Sequence, residues 1–89
     1  MDCEWDPGKA KWNLSRHGVS FEDTVFDDPL ATTVPDPDHS MDEERWLTAG
    51  RSSVDRLIVV WHTNRGARIR IIGARPATPN ERRTYESEW

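Results

Sequence analysis

The sequence is poor in the features that mark several large classes of protein. It has one cysteine, Cys3, which cannot close an internal disulfide or supply a cysteine-rich zinc site. Its longest apolar run, Leu57–Trp61, is five residues, far short of the ~20 that a membrane-spanning helix needs. No basic segment followed by an apolar one opens the chain, as a secretory signal would require. With 89 residues, we expect a single domain over residues 1–89, soluble and cytoplasmic.

Charge is distributed unevenly along the chain. Residues 1–50 hold 12 acidic and 4 basic side chains, whereas residues 51–89 hold 4 acidic and 8 basic ones. All six basic residues between Arg51 and Arg75 are arginine, whose guanidinium group pairs bidentately with phosphate oxygens. An anionic ligand on the carboxyl-terminal half is one interpretation, and a solvated strand face is the other. The acidic half suits a basic segment of a protein partner.

The amino-terminal third of the chain predicts two helices. Asp6 is a good N-cap and Gly18 is a typical residue after the last turn, which indicates a helix over Pro7–His17. Ser20 is also a capping residue and predicts a second, shorter helix. The dipeptide Asp28-Pro29 would end that helix.

From residue 30 onward the pattern becomes strand-like. Alternating and β-branched segments predict four strands: Leu30–Val34, Arg45–Gly50, Arg56–His62 and Arg68–Arg75. Met1–Asp6 is short and suits an additional edge strand. A capping box at residues 78–81 opens a terminal helix that reaches about Glu88. The order β-α-α-β-β-β-β-α predicts an α+β domain, a mostly antiparallel sheet with helices packed on one face.

The last two strands predict a hairpin that gathers charged residues. Residues 64–66, Asn-Arg-Gly, suit a three-residue loop with glycine in the left-handed position. With that loop, His62 lies opposite Arg68 and shares a sheet face with Arg68 and Arg70. Trp61 lies on the other face, under the helices. An anion between the two arginines would relieve their repulsion.

Short motifs in a fixed order give the chain a resemblance to a known family. The first motifs are Glu4-Trp5-Asp6-Pro7-x-Lys9-Ala10 and Asn13-Leu14-x-x-His17-Gly18-Val19-x-Phe21. The middle of the chain has Val25-Phe26-Asp27-Asp28-Pro29, Asp36-x-Asp38-His39, Glu44-Arg45 and Gly50-Arg51-Ser52. The set closes with Arg68-Ile69-Arg70-Ile71-Ile72-x-Ala74-Arg75 and Glu81-Arg82-Arg83-x-Tyr85-Glu86. Through these motifs nearly the whole chain resembles the BrnT family of toxins.

The resemblance implies a toxin of a type II toxin–antitoxin system with a RelE/ParE-like fold. Such toxins act as ribonucleases that arrest translation, and a cognate ribbon-helix-helix antitoxin of the BrnA kind neutralises them. The antitoxin also represses the shared operon, so the toxin is expected to reach operator DNA only through it. A toxin homodimer within the complex is left open, and no membrane contact is implied.

Metal-free cleavage of RNA defines the chemistry expected of the site. A 2′-hydroxyl attacks phosphorus, a base takes its proton, an acid protonates the leaving oxygen, and cations stabilise the phosphorane. Arg70 and Arg75 are the first candidates for the cations, because arginine stays protonated. The other catalytic candidates are His62, His17, Glu44 and Tyr85. The RNA-binding candidates are Arg51, Arg68, Lys9 and Arg82. No cofactor is expected.

Several candidates also have a structural interpretation. His17 lies on the apolar row of its helix, Tyr85 suits an anchor of the last helix, and Glu44 ends an acidic loop. A metal site in that loop is not expected, because the spacing of its donors matches no defined site. Those donors are Asp36, Asp38, His39, Asp42 and Glu43.

Two other functions remain open on the sequence. One is a ParE-like toxin that binds and inhibits a protein target, such as a topoisomerase, without catalysis. The other is a degenerate toxin that is retained as a folded co-repressor subunit. Cleavage of RNA in the presence of EDTA separates both from a metal-independent ribonuclease.

Overall fold

Five strands form one sheet that two helices flank. The structure, a computed structural model, describes residues 2–23, 25–36 and 44–87. The elements are β1 (Cys3–Glu4), α1 (Pro7–His17), β2 (Thr32–Pro35), β3 (Trp46–Arg51), β4 (Leu57–Arg65), β5 (Arg68–Pro76) and α2 (Pro79–Ser87). The strand order is β1-β5-β4-β3-β2, antiparallel except for the parallel pair β1–β5. The predicted α+β class and mostly antiparallel sheet are confirmed. Within the described ranges, no helix is long and apolar enough to cross a membrane.

Helix α1 begins and ends where the sequence predicts. The Asp6 side chain accepts a hydrogen bond from the Gly8 N–H at 3.1 Å, which caps the first turn. Gly18 adopts the left-handed conformation, at φ +69°, and its N–H donates to the Leu14 carbonyl. Arg56 donates from Nη1 to the Gly18 carbonyl at 2.8 Å. Asp6 and Gly18, which the sequence identifies, therefore fix the two ends of α1, and Arg56, just before β4, also holds the second end.

The second helix, predicted to begin at Ser20, is wrong for the described residues. Residues 20–23 and 25–31 form successive turns instead. Ser20 accepts the Glu22 N–H on its hydroxyl at 3.1 Å, and Asp28 accepts the Leu30 N–H on its carboxylate at 2.9 Å. These local bonds to the backbone compete with helical hydrogen bonds, which explains why capping residues here give turns.

The pleat of the sheet separates an inner from an outer face. The inner face bears Ile58, Val60 and Ala74, which pack with buried residues of the turns that follow α1 and with Ala10 of α1 itself. Leu47, Ala49 and Val59 belong to the outer face, where they line a groove with α2 residues. The two helices therefore lie on opposite faces, and the prediction that they share one face is wrong.

Asn13 is a buried polar residue that attaches α1 to the sheet. Its Nδ2 donates to the Val19 carbonyl at 3.0 Å and to the Ala74 carbonyl at 2.8 Å. Its Oδ1 accepts the Ala74 N–H at 3.2 Å. A buried amide group is stable only when such partners satisfy it, so Asn13 fixes the position of α1 along β5.

The turn between β4 and β5 is shorter than the sequence prediction. Arg65 pairs directly with Arg68, which leaves residues 66–67 as a two-residue loop whose glycine has φ +61°. The predicted loop over residues 64–66 is therefore wrong. The resulting change of register places His62 on the inner face.

A β-bulge in β5 determines which arginines share a face. The register between β4 and β5 shifts between Trp61 and His62, so that Ile72 is an extra residue in β5. In a regular strand, residues five apart point to opposite faces. Because of the extra residue, Arg70 and Arg75 both point to the outer face.

His62 is buried in the inner face and belongs to a chain of polar side chains. Its Nε2 lies 2.6 Å from the Thr48 hydroxyl, which lies 2.8 Å from the Thr33 hydroxyl. The Phe26 ring packs edge-on against the imidazole, with centroids 5.0 Å apart. Burial lowers the pKa of His62 from 6.5 to about 4. The imidazole is therefore neutral at pH 7.

The low pKa of His62 predicts that stability depends on pH. Between pH 6.5 and 4 the unfolded chain binds a proton that the folded chain does not, so stability is complete above pH 6.5 and falls as the pH falls towards 4. The loss is up to about 3 kcal/mol. We expect urea titrations of the parent protein to show this loss, and His62→Gln to show a smaller one over the same range.

His17→Gln is the matched control, because it removes an imidazole from the end of α1. That variant should keep the full loss of stability between pH 6.5 and 4. Parallel pH profiles for His62→Gln and the parent would contradict a neutral, buried His62.

Candidate functional site

Five strand arginines lie on the outer face of the sheet, among them Arg65 at the end of β4, which pairs with Arg68. The register places Arg51 of β3 on this face, since Arg51 pairs with Leu57 of β4. Arg68, Arg70 and Arg75 of β5 are on the same face. The side chains of Arg51, Arg70 and Arg75 are 37%, 30% and 28% exposed, and Arg68 is exposed. The outer face therefore presents guanidinium groups to solvent from three strands, β3, β4 and β5.

Arg68 and Arg70 keep most of their hydrogen-bond donors. Arg70 donates from Nη1 to Glu4 Oε2 at 2.8 Å, a contact that the pairing of β1 with β5 sets up. Among the described residues, this is the one side-chain hydrogen bond that Arg70 makes. Arg68 has no carboxylate within ion-pair distance in the same ranges. Arg68 can therefore bind an anion without losing an ion pair, and Arg70 can do so with the N–H groups that its single bond to Glu4 leaves unused.

Arg75 is instead held by a bidentate ion pair with Glu81. Nη1 and Nη2 donate to the two carboxylate oxygens at 2.7 and 2.9 Å, and Nη1 also donates to the Pro76 carbonyl. The hydrogen bond from Arg75 is the main reason that the pKa of Glu81 falls to about 2. Glu81 also accepts the Thr78 N–H at 2.8 Å and so completes the predicted capping box of α2. The pair fastens the start of α2 to β5.

Tyr85 attaches the second turn of α2 to Asp28, next to the end of β3. Its hydroxyl donates to Asp28 Oδ2 at 2.7 Å, and the Arg51 backbone N–H donates to the same oxygen at 2.8 Å. Burial, followed by the bond to Asp28, raises the pKa of Tyr85. Burial by itself would raise the pKa of Asp28, but the hydrogen bonds it accepts lower it overall. Tyr85 is therefore a protonated anchor whose ring lies 6.0 Å below the Arg51 guanidinium.

The structure does not bring His17 or His62 to the arginine face. His62, predicted to lie beside Arg68, is on the inner face because the hairpin register differs from the predicted one. His17 is half-buried in the last turn of α1, edge-on to Trp12. Lys9 is exposed in the first turn of the same helix. Because α1 covers the inner face, the sheet separates these groups from the arginines.

Glu44 and Arg82 are both exposed. Glu44 contacts Thr63, the β4 residue that pairs with Arg70. The Glu44 carbonyl accepts a hydrogen bond from the Thr63 hydroxyl at 2.6 Å, and Thr63 pairs with Arg70 across the hairpin. Arg82 lies on α2. The main chain of Glu44 therefore lies beside the β4 residue that pairs with Arg70.

The loop considered for a metal site falls mostly outside the described residues. Asp36 is described and is buried, and its N–H donates to the Arg45 carbonyl at 2.9 Å. Asp38, His39, Asp42 and Glu43 lie outside the described ranges. Residues 2–23, 25–36 and 44–87 contain no group of three or more acidic, histidine or cysteine side chains arranged to hold a metal ion.

An apolar groove of about 250 Å³ runs beside α2 on the outer face. Its floor is formed by Leu47, Ala49 and Val59, and its walls come from β2 and α2. The remaining lining residues are Thr32, Val34, Asn80, Glu81, Thr84 and Tyr85. Sequence reasoning missed this groove, because it placed both helices on one face.

Trp61 is the residue of this face that the sequence assigned to the wrong side. The hairpin prediction placed it under the helices, whereas the register puts it on the outer face, where the Arg75 guanidinium lies 5.1 Å from its ring centroid. An isolated glycine inside a strand pattern is a known sign of a bulge. Gly73 was the signal for the bulge that brings Arg75 to the outer face, whereas the position of Trp61 follows from the two-residue turn at residues 66–67.

Comparison with known proteins identifies the family. A family model described as "Ribonuclease toxin, BrnT, of type II toxin-antitoxin system" matches residues 5–81. The 1.1 Å crystal structure of the Brucella abortus ribonuclease toxin BrnT is similar, with a TM-score of 0.72 and 28% identity, covering 88% of this chain and 97% of that chain. Comparison with curated proteins gives no significant match. The chain therefore belongs to the BrnT family of ribonuclease toxins of type II toxin–antitoxin systems, as its motifs predict.

Proposed function

We propose that this toxin is a metal-independent endoribonuclease that cuts RNA by attack of the 2′-hydroxyl on the adjacent phosphorus and thereby arrests translation. The observation that supports this proposal is the set of five strand arginines on one sheet face. Cleavage adds negative charge to the phosphorane, and fixed cations that face it supply the larger share of such catalysis.

Arg68 and Arg70 are the proposed phosphate ligands. They lie two residues apart on one strand, so their Cα atoms are separated by about 7 Å on the same face. Arg70 uses Nη1 for Glu4, which leaves the rest of its fork for a phosphate oxygen. The two side chains can therefore contact one phosphate together or two neighbouring phosphates.

Arg75 and Arg51 have supporting roles in this proposal. The donors of Arg75 are occupied by Glu81, so Arg75 contributes its positive charge while the ion pair stays formed. Arg51 lies two strands away, beside the groove, and contacts a flanking part of the RNA. Arg82, exposed on α2, extends the same surface.

Glu44 is the proposed general base. The residue is exposed, and its main-chain carbonyl accepts a hydrogen bond from Thr63, the residue that pairs with Arg70. His62 is neutral but is buried on the inner face of the sheet. Tyr85 is protonated, and its hydroxyl donates to Asp28. Glu44→Gln should therefore lower cleavage with little change in RNA affinity.

Replacing Arg70 tests the phosphate role. We expect Arg70→Ala to lower the cleavage rate by about 10²-fold, the usual cost of removing one preorganised donor to a charged transition state. Cleavage of a labelled RNA and growth arrest on induction measure the effect. Arg16→Ala is the matched control, because it removes the same charge from α1 on the other side of the protein.

The Arg16→Ala variant should cleave RNA at the parent rate. Equal losses in the two arginine variants would indicate a general charge effect and would contradict a specific role for Arg70. Circular dichroism establishes that both variants are folded.

Analysis of the RNA ends in the presence of EDTA tests the reaction type. Attack by the 2′-hydroxyl leaves 2′,3′-cyclic phosphate ends, and we expect these ends with EDTA present. Intact RNA together with strong growth arrest would contradict the proposal and favour inhibition of a protein target. Intact RNA with no arrest would favour an inactive co-repressor subunit.

We also propose that the antitoxin of this system is a ribbon-helix-helix protein with a basic segment. The supporting observation is the excess of acidic residues in residues 1–50. Complementary charge speeds association and salt screens it. The association rate should therefore fall as salt is raised, and a rate that does not change with salt would contradict charge steering.

A further inference from the structure

Trp61 occupies the middle of the arginine face. It lies in β4 between Val59, which pairs with Arg75, and Thr63, which pairs with Arg70. The indole is half-buried and so presents part of its surface to solvent. Its position in the register is therefore between one arginine that keeps its donors and one whose donors are occupied.

The strand neighbours of Trp61 are a leucine on one side and a glycine on the other. Leu47 pairs with it from β3, whereas Gly73 stands opposite in β5 and has no side chain. A Cβ atom at Gly73 would lie 3.6 Å from Cε3 of the indole. The indole therefore lies next to the glycine, and the β5 side chain near its ring is that of Arg75.

Arg75 adds a second flat group above the indole. Its guanidinium carbon lies 5.1 Å from the ring centroid. The bidentate pair with Glu81 uses the edge of the guanidinium plane and not its faces. With a side chain that is 28% exposed, Arg75 shows part of this plane to solvent.

We propose that Trp61 and Arg75 form a platform on which one unpaired RNA base stacks. Bases stack on aromatic rings and on guanidinium planes, and only unpaired bases can be splayed out to do so. Arg70 and Arg68 then hold the phosphates beside that base. The substrate class is single-stranded RNA, and this inference rests on the proposed ribonuclease function.

Binding of a non-cleavable RNA tests the platform. The probe is a fluorescent oligouridine with 2′-O-methyl groups, which lacks the attacking hydroxyl, and anisotropy gives its Kd. Stacking of one base changes affinity at least about 5-fold, so Trp61→Leu should bind at least that much more weakly. Trp61→Phe should lose less, because it keeps an aromatic ring.

Trp12→Leu is the matched control, since Trp12 is 61% exposed on α1 and lies away from the arginines. It should bind the probe like the parent. Parent-like binding by Trp61→Leu would overturn the platform.

An abasic probe with the same phosphates removes the base instead of the indole. The parent protein should bind it as weakly as Trp61→Leu binds oligouridine, and Trp61→Leu should bind both probes alike. The comparison of the two probes on the parent protein does not depend on whether a variant folds. Equal affinity of the parent for both probes overturns the platform. If removing the base or the indole changes nothing in a protein that still cuts RNA, the platform is overturned but the ribonuclease proposal is not. If the protein neither binds nor cuts RNA, the ribonuclease proposal is overturned too.

Discussion

The extra residue in β5 is the constraint on which the arrangement of the arginines depends. Without the bulge at Ile72, Arg70 and Arg75 would point to opposite faces, because they are five residues apart. With it, all three arginines of β5 face the same way as Arg51 of β3. A single irregularity in one strand thus converts an arginine-rich sequence into an arginine-bearing surface.

The inner face of the sheet packs the core, whereas the outer face holds α2 and the strand arginines. The inner face holds the fold together through apolar packing and through Asn13, which satisfies backbone groups of β5. The outer face holds α2 at two points, through the Arg75–Glu81 pair and the Tyr85–Asp28 hydrogen bond. Between and beside these points the sheet stays open, which is where the proposed RNA site lies.

Local signals predicted the parts of the fold that depend on local chemistry. Asp6 and Gly18 correctly set the ends of α1, and the capping box at Thr78 and Glu81 correctly set the start of α2. Ser20 failed as a helix signal, because its hydroxyl bonds within a turn. A side chain that can bond either to a helix end or to a turn does not distinguish the two from sequence.

Pairing across the sheet could be predicted only in part. The shared face of Arg68 and Arg70 follows from period two, whereas the position of His62 depends on the exact loop length, which a glycine at residue 66 allows in more than one form. The outer position of Trp61 depends on the same turn, and the shared face of Arg70 and Arg75 depends on the β5 bulge, which a regular ladder does not predict. The carboxylate partners Glu4 and Glu81 depend on contacts between elements and were not predicted.

The most direct test of the account is to locate RNA on the protein by NMR, using the 2′-O-methyl oligouridine. If the outer face binds RNA, the guanidinium signals of Arg68 and Arg70 and the indole signal of Trp61 shift on titration. The backbone signals of α1 residues such as Arg16 stay in place. Shifts confined to α1, with the arginine signals of β5 unchanged, would contradict the account.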